Sequence, residues 1–254
     1  MVVLHILMSV KPDIIVPDWP APAHVKAITT TRVGGFSTGA YASFNLGDHV
    51  GDDAEAVQRN RVQLCEQLGI PQPSWLKQVH GIDVIEAEFG EAGAVADGSY
   101  TEMAGTVCAV LTADCLPVFL CDRSGSWVAV VHAGWRGLVS GVIEAGVLAL
   151  RTPGEELLAW LGPAIGPESY EVGDEVRSEF LAVAEEAESA FRPRGQGKWL
   201  ADMYTLARQR LNAIGVESVY GGSRCTFREP DLFFSYRRDG ITGRMASLIW
   251  IEPG

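Results

Sequence analysis

Short runs of apolar and β-branched residues, bounded by turn-forming residues, stand out along the chain and predict β-strands. The clearest runs cover residues 107–112, 118–121 and 127–132, and a further run covers residues 245–251 near the end of the sequence. Lengths of four to seven residues are typical of strands buried in a sheet. Asp, Arg, Ser and Gly fill residues 122–125 between the second and third runs, so we expect a hairpin turn there.

Apolar residues recur at helical spacing in four other segments. These segments are residues 53–68, 138–150, 174–188 and 202–214. Gly69 and Gly215 follow the first and the last of them, at a position where glycine commonly ends a helix. Asp202 can accept hydrogen bonds from the first turn of the last segment. Because helices, strands and hairpins are mixed along the chain, the pattern predicts an α+β or layered α/β fold rather than a Rossmann fold.

Nothing in the sequence divides the chain into separate domains. Its 254 residues are 47% hydrophobic and 20% charged, a balance that is typical of globular proteins. We find no repeat, no low-complexity tract and no linker rich in Pro, Gly and Ser. The most loop-like stretch, residues 191–198, is short, and we interpret it as a surface loop. We therefore predict one domain over residues 1–254, with residues 1–20 at its periphery.

The charge and the cysteine content limit the expected partners and compartment. A formal net charge of −12 repels phosphate backbones and anionic lipid, so we expect neither nucleic acid nor a membrane surface as a partner. The amino terminus lacks the basic start and the cleavage pattern of a signal peptide, and no later apolar stretch is long enough to span a bilayer. Five cysteines are an odd number, which favours reduced thiols in the cytoplasm over a disulfide framework. The oligomeric state is left open.

Three side chains that can bind zinc or copper lie in a turn or at the ends of predicted strands. His132 ends one apolar run, Cys115 follows another, and His80 lies in a turn-rich segment. Loops at strand ends commonly carry catalytic groups, and three protein ligands leave one coordination position open for catalysis. The spacing fits no zinc-finger motif, so a buried thiol with two ordinary histidines explains it equally well. A metal-free nucleophilic pair of Cys115 and His132 is a third interpretation.

Other motifs carry little weight. Residues 35–39 fit the Gly-x-Ser-x-Gly pattern of a nucleophile elbow, but the segment that follows is not helix-like, so we interpret them as a glycine-permitted turn. The sequence has neither a P-loop nor a convincing dinucleotide-binding glycine motif. It also lacks the His-x-Glu and Pro-Cys-x-x-Cys motifs of the zinc nucleobase deaminases.

Nine stretches recur in a fixed order from about residue 30 to the end of the chain. They are TTRVGG (30–35), SFNLG (43–47), HVGDD (49–53), KQVHG (77–81), ADG (96–98), TADCLP (112–117), HAGWRG (132–137), LGPAIG (161–166) and the segment 225–246. Together they resemble the YfiH-type family, whose members are described as laccase-domain proteins, polyphenol oxidases or purine nucleoside phosphorylases. Several motifs in order are far more specific than any one of them.

The resemblance implies a single domain of layered α/β/β/α architecture and one zinc ion bound by His80, Cys115 and His132. It also implies phosphorolysis of adenosine, inosine and methylthioadenosine, and deamination of adenosine, with purine nucleoside and phosphate as small-molecule partners. Some members of the family are described instead as peptidoglycan editing factors that act on cell-wall precursors. A multicopper oxidase needs more histidine ligands than five histidines can supply, so copper is a weaker expectation than zinc.

Substrate contacts are expected from polar residues in or beside these motifs. The candidates are Arg32, Asn45, Lys77, Gln78, Asp114 and Arg136. The three basic residues could hold phosphate or be surface charges, and the glutamine shares a short loop with His80. Asn45 could bind a ribose hydroxyl or a base edge, or stabilise its own turn. Asp114 could orient a metal ligand or cap a helix, and Glu168 and Tyr170 are candidate acid–base groups.

Overall fold

The computed structural model describes residues 11–254. The expectation that the chain has no signal peptide concerns residues 1–10, which lie outside the described residues. The described part of the chain contains thirteen strands in three sheets. They are β1 (Ile14–Ile15), β2 (Val25–Thr30), β3 (Val84–Glu86), β4 (Gly98–Thr101), β5 (Val107–Thr112), β6 (Leu116–Asp122), β7 (Val128–Ala133), β8 (Leu157–Leu161), β9 (Glu171–Gly173), β10 (Phe191–Gly195), β11 (Lys198–Ala201), β12 (Ser218–Gly221) and β13 (Met245–Ile251).

Six α-helices alternate with these strands in the described residues. They are α1 (Ala54–Leu68), α2 (Trp135–Ser140), α3 (Val142–Ala149), α4 (Asp174–Val183), α5 (Met203–Ala213) and α6 (Tyr236–Asp239). Three short 3₁₀-helices cover Gly39–Tyr41, Gly154–Glu156 and Glu185–Ala190. The element order is therefore mixed, as the sequence pattern predicts.

Two large sheets carry most of the strands. The first is antiparallel and has the order β1-β2-β13-β5, and the second has the order β12-β8-β6-β7-β4-β3. In the second sheet β6, β7 and β8 pair antiparallel, while β12 runs parallel to β8 and β3 parallel to β4, so this sheet is mixed. A third, three-stranded sheet has the order β10-β11-β9.

The two large sheets pack face to face on a shared apolar core. Val110 and Ile249 project into this core from the four-stranded sheet, and Phe119, Val130 and Trp160 project into it from the six-stranded sheet. All five side chains are buried. Two sheets that each bury one face in this way form the central double layer of the molecule.

Helices cover the outer faces of both sheets. Leu64 of α1 packs with Ile28 and Leu248 on the outer face of the four-stranded sheet. On the other side, Ile143 of α3 belongs to the same apolar cluster as Val131 of β7, on the outer face of the six-stranded sheet. The resulting α/β/β/α order of layers confirms the predicted fold class.

Two helix boundaries follow the predicted capping residues. The Asp53 side chain accepts hydrogen bonds from the first turn of α1, and Gly69 ends that helix in the left-handed region with φ +66°. The Asp202 carboxylate caps α5 in the same way. Side-chain caps satisfy first-turn N–H groups that have no partner within the helix.

One predicted helix, residues 138–150, is wrong as a single element. The structure has two helices, α2 and α3, separated at Gly141. Gly141 has φ +105°, a conformation that ends one helix and that side chains other than glycine rarely adopt. The helical spacing of apolar residues continues through this break, so periodicity alone does not reveal it.

Two further predictions need correction near the small sheet. The helix predicted over residues 174–188 ends at Val183, and a 3₁₀-helix follows after the extended residue Ala184. Residues 191–198, predicted as a surface loop, form most of a hairpin between β10 and β11. The strand β10 is largely exposed, so it lacks the apolar alternation that marks a buried strand.

No helix among the described residues is long and apolar enough to cross a membrane. All five cysteines are free. Residues 11–13 lead into the edge strand β1, which pairs with β2.

Candidate metal centre

The hairpin of β6 and β7 brings Cys115 and His132 together at one end of these two central strands of the six-stranded sheet. Pro117 pairs with His132 in this antiparallel ladder, and Cys115 lies one residue before β6. Side chains alternate between the faces of a strand. Cys115 therefore shares the face of Phe119, and His132 shares the face of Val130, which is the face directed toward the four-stranded sheet.

His80 reaches the same place from a loop that one buried carboxylate holds. Asp97 accepts backbone hydrogen bonds from Val79 (3.1 Å), His80 (2.9 Å) and Gly81 (2.6 Å). His80 has φ +61°, an uncommon conformation for a residue other than glycine. Since three consecutive N–H groups bind one carboxylate, the loop is held in the conformation that directs His80 to the site.

The same carboxylate orients His132. Its Oδ1 accepts a hydrogen bond from Nδ1–H of His132 at 2.8 Å, and the Asp97 side chain is fully buried. Burial alone would raise the pKa of Asp97, but the hydrogen bonds from His132, Gly81 and Val79 lower it. Asp97 is therefore a carboxylate and only accepts hydrogen bonds, which leaves Nε2 of His132 free to bind a metal.

The three predicted ligands meet and form a triad of His80, Cys115 and His132. One donor atom from each of His80, Cys115 and His132 lies within 4.8 Å of the others, and no second group of this kind occurs in residues 11–254. Sγ of Cys115 lies 3.8 Å from Nε2 of His80. Two imidazoles and one thiolate are a donor set that zinc prefers, and three ligands leave a further position open. The residues present therefore fit a single zinc ion.

The charges in this group hold the Cys115 sulfur as a thiolate, and a metal ion would displace the proton that His132 carries on Nε2. Burial alone would raise the pKa of the Cys115 thiol, but the charges and hydrogen bonds of His132 and His80 lower it to about 6. Burial alone would lower the pKa of His132, but the Cys115 thiolate and Asp97 raise it to about 9. The sulfur is thus held as a thiolate, which is both the metal-binding and the nucleophilic form of cysteine.

A cleft of about 400 Å³ opens beside these three side chains. Its lining includes Gln78, the exposed ring of Tyr236 and the partly buried guanidinium of Arg244. Arg244 and His49, which also lines the cleft, are missing from the residues predicted from the sequence. Both belong to stretches that carry the family resemblance, and that is the signal that could have identified them.

Two of the predicted substrate contacts support the cleft. The Gln78 side chain donates to the carbonyl of Leu111 at 2.9 Å and accepts from its N–H at 2.7 Å, so it joins the His80 loop to β5. Asn45 is fully buried, and its Oδ1 accepts a hydrogen bond from the backbone N–H of Arg244 at 2.8 Å. Gln78 lines the cleft, and Asn45 lies behind Arg244.

The three basic candidates lie outside the lining of this cleft. Arg32 donates to the carbonyl oxygens of Ala42 and Pro230 and so joins two loops. Lys77 is exposed, with a backbone bridge to Val95. Arg136 is exposed beside the ring of its neighbour Trp135. Contact of these three residues with a ligand therefore stays a prediction.

The acidic and phenolic candidates lie near the triad or on the surface. Asp114 accepts hydrogen bonds from the Thr226 hydroxyl (2.6 Å) and from N–H of Arg237 in α6 (2.7 Å), so it anchors the segment that carries Tyr236. The Arg237 guanidinium lies 5.1 Å from the centre of the Tyr170 ring. Glu168 forms an exposed ion pair with Arg192 on the surface.

The serine of the Gly-x-Ser-x-Gly pattern is structural. Ser37 is buried, its hydroxyl accepts a hydrogen bond from the side-chain amide of Asn60 at 3.0 Å, and a 3₁₀-helix rather than an α-helix follows. A nucleophile elbow would expose this hydroxyl between a strand and a helix.

Several known proteins are similar to this chain over nearly its whole length. The purine nucleoside phosphorylase PA4543 of Pseudomonas aeruginosa is 55% identical over 237 residues, which cover 93% of this chain and 97% of that protein. The purine nucleoside phosphorylase YfiH of Escherichia coli strain K12 is 54% identical over 241 residues, covering 94% and 98%. The crystal structure of Neisseria meningitidis protein NMB0706 is similar with a TM-score of 0.92 at 51% identity, covering 94% and 99%. Residues 26–252 match the family described as multi-copper polyphenol oxidoreductase laccase, and the chain belongs to that family.

Proposed function

We propose that this chain is a zinc-dependent purine nucleoside phosphorylase that acts on adenosine, inosine and methylthioadenosine. The observation that carries the proposal is the group of His80, Cys115 and His132 at one end of a cleft large enough for a small ligand. Relatives more than half identical to this chain are named purine nucleoside phosphorylases. We place the reaction in the cytoplasm because all five cysteines are free thiols.

The donor set favours one zinc ion over a copper cluster. When bound, zinc would act as a Lewis acid beside the substrate. The sequence has five histidines. His24 contacts the carbonyl of Gly125 and His49 pairs with Asp48, so neither joins the triad in the described structure. A multicopper site needs more imidazole ligands than the two in this group.

The protein's own residues would bind and orient the reactants. Asp97 fixes the ring of His132 and the loop of His80, so both ligands are preorganised. The cleft offers the cationic Arg244 to an anionic co-substrate and the aromatic face of Tyr236 to a base. We extend the proposal to deamination of adenosine, in which water attacks the ring carbon that carries the amino group and the carbon–nitrogen bond breaks, so that ammonia leaves and inosine forms.

Incubation with adenosine and inorganic phosphate tests the proposal. We expect phosphate-dependent formation of adenine and ribose 1-phosphate, with inosine as the product of deamination. The His80→Ala variant should lose turnover, while His24→Ala, which changes a histidine remote from the triad, should retain it. Absence of turnover above the His80→Ala background would contradict the proposal and would favour a role in editing peptidoglycan precursors.

The thiolate character of Cys115 also supports a second candidate, a metal-free cysteine hydrolase that uses Cys115 and His132. Metal analysis and alkylation separate the two. A phosphorylase of the proposed kind carries zinc as purified, and zinc slows alkylation of Cys115 by iodoacetamide. Three results together would favour the hydrolase. The purified protein would contain no metal, its Cys115 would be alkylated rapidly, and a chelator would not reduce its activity.

A further inference from the structure

The cleft contains an arginine that forms no ion pair with a carboxylate in the described part of the chain. Arg244 precedes β13, and its Nη1 donates to the carbonyl oxygens of Thr242 (3.1 Å) and Gly243 (3.0 Å). No carboxylate lies within 4.0 Å of its guanidinium among residues 11–254, although eight lysine or arginine ion pairs occur there. A partly buried guanidinium without a carboxylate is available for an anion from outside.

The position of Arg244 is fixed from behind. Its N–H donates to the buried Asn45 side chain, which also accepts a hydrogen bond from N–H of Gly47 at 2.9 Å. A Cβ atom at Gly47 would lie only 2.8 Å from Cγ of Arg244. The glycine therefore lets the arginine side chain pass close to the backbone. An arginine held in this way loses little freedom when it binds a ligand.

A buried hydroxyl in the lining of the same cleft also lacks a partner. Thr112 is 1% exposed, and its Oγ1 makes no hydrogen bond in the structure. An unsatisfied buried hydroxyl is uncommon and costs free energy. A ligand oxygen at the end of β5 would provide the missing partner.

We propose that Arg244 and Thr112 form the phosphate subsite of the cleft, with inorganic phosphate as the ligand. This inference rests on the proposed phosphorolysis. In that reaction a phosphate oxygen forms a bond to C1′ of the ribose as the bond from C1′ to the purine nitrogen breaks. The electron pair of the broken bond leaves on the purine, which takes up a proton. Arg244 and Thr112 hold the phosphate in this subsite. Asn45 acts as a positioning residue for Arg244.

Steady-state kinetics and direct binding test the subsite on the protein as purified with its metal. Arg244→Gln should raise the KM for phosphate about 10–100-fold, the effect of losing a charge-assisted contact, with little change in the KM for adenosine. Arg244→Lys keeps the positive charge but lacks the planar guanidinium group. Its KM for phosphate should therefore lie between those of the unaltered protein and of Arg244→Gln. Arg228→Gln, which removes an exposed arginine outside the cleft lining, is the matched control.

Thr112→Val gives a second, independent test. It removes the hydroxyl but keeps the shape, so it should raise the KM for phosphate while leaving the melting temperature unchanged or higher, because no hydrogen bond is lost. A purely structural role for Thr112 would lower the melting temperature and leave the KM for phosphate unaltered, and that result would overturn its assignment. Circular dichroism melting of each variant separates a folding defect from a binding defect.

Calorimetric titration with inorganic phosphate, and separately with adenosine 5′-monophosphate, distinguishes a free phosphate from the phosphate of a nucleotide. We expect phosphate to bind the unaltered protein and to lose affinity in Arg244→Gln. Tighter binding of the nucleotide, abolished by Arg244→Gln, would overturn the assignment to free phosphate. If phosphorolysis occurs and Arg244→Gln leaves the KM for phosphate unchanged, the subsite is wrong and the proposed function stands. If phosphate binds through Arg244 without turnover, the proposed function fails and the anion site stands.

Discussion

Asp97 connects two of the three candidate ligands at the scale of single residues. Its carboxylate accepts four hydrogen bonds, three from the His80 loop and one from His132. We expect Asp97→Asn to lower zinc affinity about 10–100-fold, the range found for residues that orient metal ligands. An asparagine would direct an N–H₂ group toward N–H donors and would thereby disrupt the loop. Competition with a chromogenic chelator measures the affinity.

The exposed neighbour Asp83 provides a control for this prediction. Its backbone carbonyl bonds to N–H of Asp97, but its side chain is exposed. Asp83→Asn should therefore keep the zinc affinity of the unaltered protein. Equal affinities for Asp97→Asn and Asp83→Asn would show that Asp97 does not orient the metal ligands.

Gly134 keeps the space in which His80 and Cys115 approach each other. A Cβ atom there would lie 2.6 Å from Cδ2 of His80 and 3.2 Å from Sγ of Cys115, although φ −67° is open to any residue. We expect Gly134→Ala to displace His80 and to reduce zinc binding, measured by metal analysis after dialysis. At Gly81 the added Cβ would make only ordinary contacts, so Gly81→Ala should retain zinc. Full zinc content in Gly134→Ala would contradict this account.

The sequence identifies some of these residues more readily than others. His80, Cys115 and His132 lie in distinctive motifs, so the family resemblance selects them. Asp97 and Arg244 also lie in such motifs, but an Asp before a Gly or an Arg before a strand has many uses. Their roles depend on contacts with residues distant in sequence, Asp97 with the His80 loop and Arg244 with Asn45. Local patterns contain no information about such contacts.

The β6–β7 hairpin shows how an element places two ligands. Its turn pairs Asp122 with Trp127 through a backbone hydrogen bond, and counting outward from the turn pairs Pro117 with His132. Turn position and strand alternation together place Cys115 and His132 on one face. This part of the site could be derived from the sequence, whereas the approach of the His80 loop could not.

Gly141 is the element boundary that periodicity conceals. A Cβ atom there would meet nothing closer than 3.5 Å, so space is available and only φ +105° opposes a side chain. We expect Gly141→Ala to lower the melting temperature by about 2–8 °C, the effect of a left-handed residue other than glycine in a protein of this size. Ser140→Ala, which changes the exposed neighbouring residue, should leave the melting temperature unchanged. A melting temperature equal to that of Ser140→Ala would mean that residues 138–150 tolerate a continuous helix.

At the scale of the whole molecule, the site lies where the central strands β6 and β7 of the double sheet end. The apolar runs of β5, β6, β7 and β13 together with the helical segments predict a mixed α and β fold, and the family resemblance implies the α/β/β/α order of its layers. The small sheet of β9, β10 and β11 escapes prediction because β10 is largely exposed and because β9 and β11 are only 3 and 4 residues long. A solvent-facing strand lacks the periodic signal on which such predictions depend.

Metal binding should stabilise the whole fold, because a ligand that binds only the folded state raises its stability. At a free zinc concentration about a hundred times the Kd, the gain is about 2.7 kcal/mol, or about 5–10 °C in melting temperature for a protein of this size. We therefore expect a chelator to lower the melting temperature of the unaltered protein by this amount. Cys115→Ala should show no such shift. If a chelator leaves the melting temperature of the unaltered protein unchanged, that result would contradict the metal site.

The most direct test titrates zinc into metal-free protein and records phosphorolysis of adenosine at each step. This single curve connects the candidate metal centre to the proposed reaction. We predict that phosphate-dependent release of adenine rises linearly and reaches its plateau at one zinc ion per chain, and that Cys115→Ala stays inactive throughout. Activity that is already complete in the metal-free protein, or that reaches its plateau only with several ions per chain, would contradict a single zinc site formed by His80, Cys115 and His132.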